Sequence, residues 1–518
     1  MAQDISGTNL ETNAAATDRV VSVQFNVAWG RAAWVTDWST QSTDETARLL
    51  DFSLERQLSL DPLQLGVSRP ATLSVTLDNR DQRFSAFNTA SALTGSILGS
   101  STTAGGDTVA YPKLAGSPVR LRVGYYDTTN GHERVTVFTG RIDDLQQDAY
   151  GLDGGRLTFQ ALDRGAELVD TRTSTAMRAN VRADQWIASL LDSVSMPHSL
   201  DTGIFVLPYV WMDDETIWQE CHDAAAADGG YFYIDETGVA RYRAAHWWAT
   251  AEDSTSSQAT ITTGTLQNIA ANADWSNLAT GLVIEYTPRS PGGEQDLYRS
   301  ESALVVPPGV KAVDMRFSYP RDVGKLPIPA FTAVTSGGRR LQNVNVNYAA
   351  GMAAQRGQLV FDNSNSETAF IAPFILRGHA IMGAQTKTRE TTVSGLALTS
   401  NIKRAPSNPY VQTEAQADML AALLGDRLRY PRMTYTVSGF KALPWLQLGD
   451  RVTITLPEAI TVSRSMIVTA ISLSWRPDAP LLQTLTGIDR AGLFEYEDYF
   501  ILGASAYGTG SEAGRVWL

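Results

Sequence analysis

Two acidic groups carry the residue types that cleavage of a glycosidic bond would need. Asp143-Asp144 and Asp213-Asp214-Glu215 each set carboxylates side by side, and two carboxyl groups flanking a sugar bond can serve as acid and as base or nucleophile. The spacing argues against this chemistry. Neighbouring residues on a strand point to opposite faces, so Asp143 and Asp144 cannot both line one cleft. The second group stands just before a helical pattern, where a helix N-terminus favours negative charge and Asp213 or Asp214 can act as the cap. Turn and helix-start roles are the better readings.

Nucleophile and metal chemistry find less support. The five histidines, His132, His198, His222, His246 and His379, have no ligand spacing among themselves and belong to no zinc-protease motif. Cys221 is the single cysteine, which excludes an intrachain disulfide and a thiolate cluster. It falls among apolar and alanine positions of a predicted helix, with His222 turned about 100° away. A reactive thiol needs an electropositive, partly exposed setting, so Cys221 is expected to be buried and inert. No Gly-x-Ser-x-Gly elbow or phosphate loop occurs. No catalytic residue, metal or cofactor is expected. His246-Trp247-Trp248 is the best remaining lead: exposed tryptophans stack on sugar rings, which makes Trp247 and Trp248 candidate glycan contacts, against the alternative of core or interface packing.

The elements that would position these residues are mostly strands. In residues 71–88, Leu73, Val75 and Leu77 fall on one face and Thr72, Ser74 and Thr76 on the other, the period of a half-buried strand. Asp78 and Asn79 end it in a turn, because short polar side chains bond nearby backbone and tolerate left-handed geometry. Phe84 and Phe87 should fold back and cap an apolar interior, each contributing about 1.5–3 kcal/mol if fully buried. Val21/Val23/Phe25/Val27, Val119/Leu121/Val123/Tyr125, Val135/Val137 and Leu157/Phe159/Ala161 mark further strands, with a hairpin turn at Thr129-Asn130-Gly131-His132.

Helical periodicity follows. Trp186, Ile187, Leu190, Leu191 and Val194 form a stripe after Asp184, a candidate N-cap, and Ile217, Trp218, Cys221, Ala224 and Ala225 form a second stripe closed by Gly229-Gly230. Strand, turn and strand follow from Tyr231 to Tyr242. Thr413 with Gln416 makes a capping box before a helix carrying Leu420, Ala421, Leu424 and Leu428. Three last strands contain Val452/Ile454, Ile467/Ile471/Leu473 and Leu482/Thr484/Thr486.

At 518 residues the chain should form several domains, since single cores stop growing near ~250–300 residues. The fold class is mainly β with minor α (α+β). The divisions expected are a flexible arm, 1–18; a first small antiparallel β-barrel, 19–170; a helix-hairpin domain, 171–275; a second barrel, 276–296 with 393–490; an inserted β-rich domain, 297–392; and a tail, 491–518. In that tail Tyr499, Phe500, Ile501 and Leu502 sit among Glu495, Glu497 and Asp498 and read as a docking segment that orders against a partner.

The formal net charge of −13, with basic residues scattered, disfavours the counterion-releasing grip of a nucleic-acid binder. Passage of DNA past an acidic wall is compatible with it. The N-terminus has no basic start or apolar core, and no window approaches the ~20 apolar residues of a membrane span. Synthesis and folding in a cytoplasm, without stable membrane insertion, are expected.

Leu-Asp-Asn-Arg-Asp-x-Arg-Phe-Ser-x-Phe-Asn from Leu77, then Pro118-Val119-Arg120-Leu121, then Phe138-Thr139-Gly140-Arg141-Ile142-Asp143-Asp144, resembles the opening domain of bacteriophage tail-tip proteins, the baseplate-hub or minor tail proteins. The helix and hairpin before Tyr242 and the turn Leu448-Gly449-Asp450-Arg451-Val452 are similar to later parts of the hub. The resemblance implies a structural virion protein at the distal end of the tail: a homotrimer whose two barrels make a pseudo-sixfold ring closing the tube. It also implies partners among distal tail or tube proteins, tip fibres, other minor tail proteins and a tape measure protein, with transient DNA passage on host engagement. Three copies would carry 3 × −13 = −39 formal charges, so an electronegative lumen is expected.

Overall fold

Alternation of apolar and polar side chains sets the architecture, which is mainly β with few helices. The computed structural model describes residues 3–16, 19–31, 33–59, 63, 67–84, 102–104, 107–109, 115–148, 155–247, 251–262, 268–274, 278–322, 327–348, 352–393, 401–429, 432–439, 441–456, 462–489, 499–500 and 515–516.

The two terminal β-regions share one sheet. Its strands run in the order Asn268–Asp274, Arg432–Ser438, Leu482–Asp489, Val462–Trp475, Leu49–Gln57, Thr72–Asp78, Arg156–Asp163, Gly131–Asp148, Pro118–Asp127, Val20–Val27 and Thr43–Asp44. The seam is Leu49–Gln57, which pairs on one edge with Thr72–Asp78 and on the other with Val462–Trp475. Leu54 stands opposite Leu73 on one side and Leu473 on the other, so both halves bury their apolar side chains in one continuous core. The Phe52 and Trp475 rings stack across the seam at 6.0 Å.

Two helices and a hairpin cover this sheet's junction. In Ala183–Ser193 the buried side chains are Ala183, Trp186, Ile187, Leu190 and Leu191. Its N-cap position is Arg182, with Asp184 inside the first turn rather than capping. In Ile217–Ala227 the cap is Thr216, whose Oγ1 accepts the Gln219 N–H at 3.2 Å. Asp213 and Asp214 therefore do not cap it; they belong to a short strand, Asp213–Thr216, paired with Arg172–Ser174. The helix ends as its glycines require: Gly229 takes φ +72°, and the Gly230 N–H returns to the Ala225 carbonyl at 2.8 Å. The capping box at Thr413 and Gln416 is present at the start of Glu414–Arg429.

A second core lies within residues 297–380, built around Phe361 and Phe374, whose rings meet edge-on at 5.3 Å. It touches the rest through Met177, Ala354 and Ile381 and through ion pairs from Asp213 to Arg316 (2.7 Å) and Arg356 (2.8 Å).

The arm expected to be free is held down over its described part. Helix Leu10–Ala15 buries Leu10 and Ala14, and the Glu133 carboxylate accepts the Asn9 N–H at 3.0 Å. Only two apolar residues four apart anchor it, too short a pattern to register as a helix from sequence.

Candidate functional site

The turn after Thr72–Asp78 is built by Asn79. Its side chain is buried, its Oδ1 accepts the Phe84 N–H at 2.9 Å, and its backbone N–H bonds Gly155 at 2.9 Å. Asp78 bonds Arg80 outside. Phe84 is fully buried and lies 5.0 Å from the Trp29 ring. Phe87 lies outside the described residues.

Three regions far apart in sequence meet in a buried polar junction. Arg56, on the seam strand, pairs with Glu236 of the hairpin turn at 3.1 Å, with both side chains buried. Gln447, from the closing half, donates to the same carboxylate. Beside them Asp163 accepts the Ala71 and Gly165 N–H groups, each at 2.7 Å, and burial pushes its carboxyl up to about 7. His222 is held neutral by burial, its pKa lowered to about 4. Glu220 accepts from the Tyr410 hydroxyl and Asp228 from the Tyr242 hydroxyl; burial raises them to about 7 and about 6.

Carboxyl groups with raised pKa values are what acid–base catalysis uses, yet here each is buried and saturated by structural donors. Asp228 spends its oxygens on the Ile204 and Phe205 N–H groups and a phenol. These groups brace the packing of helix on hairpin. Their burial was not readable from sequence, because an acid inside a helical stripe looks the same whether it faces solvent or a tyrosine from 190 residues away.

The remaining candidates are scattered. Asp143 and Asp144 are exposed on strand Gly131–Asp148. Asp213 is consumed by Arg316 and Arg356, beside a cleft of roughly 610 Å³ that both arginines line. Cys221 is buried and its thiol pKa is driven up by burial. Among the described residues no group of three or more His, Cys, Asp or Glu side chains could hold a metal ion, and no helix is long and apolar enough to cross a membrane.

Trp247 corrects the glycan expectation. It is only 4% exposed, packed under Arg243 and against Gly449, where an added Cβ would stand 1.7 Å from the indole. A sugar cannot reach it. Trp248 lies outside the described residues, as do Ile501 and Leu502. Tyr499–Phe500 pairs in parallel with Arg515–Val516.

The feature that sequence reading passed over is the outer face of the joined sheet. Ladder partners run Gln160, Ser74, Ser53, Ser474 across four strands, and Thr72, Glu55, Ser472, Thr484, Ser438, Asn268 across six. Glu55 is charged within these spans, and the rows continue to Asp144 beside Gln160 and, through Leu162, to Arg141 beyond Thr72. Each strand shows the alternation locally, but the rows exist only once the seam joins the halves.

No family model and no curated protein matches this chain. Solved structures similar to it include phage and prophage tail proteins and VgrG proteins. A tail protein from Neisseria meningitidis MC58 aligns at 10% identity and TM-score 0.48, over 90% of this chain and 96% of the other. The 43 kDa tail protein of prophage MuSo2 from Shewanella oneidensis aligns at 12% identity and TM-score 0.46, over 92% and 100%. The Francisella PdpA–VgrG complex aligns at 8% identity and TM-score 0.42, over 95% and 62%.

Proposed function

We propose that this chain is a structural subunit of a phage tail tip, and that copies of it form a ring continuing and closing the tail tube. One observation carries the reading: a sheet spanning both terminal halves turns outward a broad face on which hydroxyl and amide side chains stand among charged ones such as Asp51, Glu55 and Asp144. Short polar side chains keep such a face wetted. It suits the wall of a channel. Acidic side chains such as Asp144, opposite Gln160, stand in line with the hydroxyl rows and fit the electronegative lumen that three copies imply.

Two like halves per chain fit a threefold ring with pseudo-sixfold outline, since cyclic symmetry encloses a channel and an isologous dimer does not. In this reading the protein sits at the distal end of the virion tail, contacts tube, fibre, minor tail and tape measure proteins, and lets DNA pass on host engagement. The resemblance at residues 77–88 and 118–144 supports the same reading. Native mass spectrometry of purified tail tips, with symmetry measured in averaged particle images, tests it: three copies around a channel are expected, and a monomer or dimer per particle overturns it.

A further inference from the structure

Residues 289–383 are joined to the rest of the chain, the body, by two adjacent crossings. On the body side Gly281–Tyr286 is laddered to Lys387–Thr392, on the far side Arg289–Arg299 to Ile375–Gly383, and the ladder is interrupted between them at residues 287–288 and 384–386. There the Ala384 N–H bonds the Pro288 carbonyl at 2.7 Å and the Thr287 and Thr386 hydroxyls meet at 3.0 Å, so the crossings form one narrow ribbon, exposed at residues 383–386. Among the described residues, every strand from Arg289 to Gly383 pairs only with strands of the same stretch. The body's core likewise stops at Tyr286 and resumes at Val393, while Phe361 and Phe374 centre a core of their own. Such a domain on a narrow neck moves unless a large apolar interface holds it.

The interface that holds it is small and rich in polar contacts. Its apolar part is Met177, Ala354 and Ile381, flanked by Tyr209 and Trp211. The Thr175 carbonyl accepts the Ala354 N–H at 2.8 Å, the Trp211 indole donates to Gln355 Oε1 at 3.3 Å, and Arg289, at the neck, lies over the Trp211 ring at 4.1 Å. Ion pairs complete it. Asp213 accepts from Arg316 at 2.7 Å and from Arg356 at 2.8 Å, and Asp214 adds a third pair, to Arg356, at 3.0 Å. Neighbouring strand residues face opposite ways; here the pairing with Arg172–Ser174 shifts register and Asp214 takes φ +66°, which brings both carboxylates onto one guanidinium. Beside these pairs the domain and the body are parted by the cleft of roughly 610 Å³, with Ser174 on one wall and Asp314, Met315 and Gly357 on the other.

We propose that residues 289–383 form a jointed arm that turns about the neck at 287–288 and 384–386, and that the pairing of Asp213 with Arg316 and Arg356 is the latch that holds it against the body. The arginine side chains are 69% and 39% exposed, so on release both guanidinium groups regain water and the cost of parting stays low. A latch of part-exposed ion pairs yields to salt, because the Debye length falls from ~10 Å at 0.1 M to ~3 Å at 1 M. Turning uncovers Met177, Tyr209 and Trp211 on the body, apolar and aromatic side chains of the kind concentrated at protein interfaces. This inference stands apart from the ring reading and does not require it.

Double electron–electron resonance on the full chain, spin-labelled through Val206→Cys on the body and Val310→Cys on the arm, tests it; both positions are exposed, and the single native cysteine, Cys221, is buried. At low salt one narrow distance is expected. Asp213→Asn should raise the ratio of a second, displaced population to the first about tenfold. Sodium chloride at about 1 M should shift the labelled chain with its latch intact in the same direction, a test that needs no latch variant to fold. Asp296→Asn, which breaks pairs with Arg299 and Arg377 inside the arm, should leave the distances unchanged. A distribution that ignores both Asp213→Asn and salt, one already broad at low salt, or an equal shift with Asp296→Asn overturns the proposal.

Discussion

His222 Nε2 accepts the Ser68 N–H at 3.0 Å, joining a helix to the strand region 154 residues before it. That donor fixes the tautomer: Nε2 is bare, and Nδ1 carries the hydrogen that reaches the Trp218 carbonyl at 2.7 Å. The imidazole stands between the Trp218 and Phe232 rings, 4.5 and 5.4 Å away.

Replacing it removes both bonds and leaves a cavity. His222→Ala is expected to lower the unfolding free energy by about 2–4 kcal/mol, measured by denaturant titration. The folded pKa of about 4 lies below the ordinary 6.5, so the contribution of neutral His222 is complete above pH 6.5 and declines as pH falls toward 4. The variant should lose that part of the acid-side slope. An unchanged slope would mean that the ring is solvated.

Glu220 works in the opposite direction. Its folded pKa of about 7 exceeds the ordinary 4.5, so the folded state binds the proton more tightly and stability declines as pH rises from about 4.5 to 7. Glu220→Gln keeps the shape without the charge. Calorimetry should show its Tm gaining on the parent protein at pH 8 relative to pH 5; a difference of the reverse sign rejects this account.

Arg56 and Glu236 hold the seam to the hairpin. Glu236→Met leaves a buried guanidinium unpaired and should cost about 3–5 kcal/mol, whereas Arg56→Met with Glu236→Met should recover much of that loss. Additive losses in the double variant would show that the two charges are independent.

Phe84→Ala is expected to destabilise the whole chain by about 3–5 kcal/mol, and Asn79→Ala by about 1–3 kcal/mol through the orphaned Phe84 N–H. A Phe84→Ala loss below about 1 kcal/mol would be incompatible with its burial.

Gly449 has φ +94° and the Trp247 indole across from it. Gly449→Ala should lower Tm more than Gly116→Ala, which shares the positive φ but has nothing within 4 Å of an added Cβ. Equal effects would show that backbone strain alone decides, without the indole.

Much of the fold was legible because strands with one buried face write their period into the chain: Leu73, Val75 and Leu77 are all buried where alternation placed them. Local turn chemistry at Asn79, Gly229 and Thr413 was readable for the same reason. What escaped depends on pairing at long range. Nothing near Ser53 announces that Ser474 will stand beside it. Trp247 was misplaced because an aromatic pair looks alike whether it faces a ligand or a glycine turn two hundred residues later.

The seam also fixes when the molecule can become itself. Leu49–Gln57 emerges from the ribosome early, but its second ladder partner begins at Val462, and 462 − 57 = 405 residues separate the two. At roughly 5–20 residues per second that strand waits on the order of 20–80 s with one edge bare. Until Val462–Trp475 has been made, the outer face that unites the two halves does not exist.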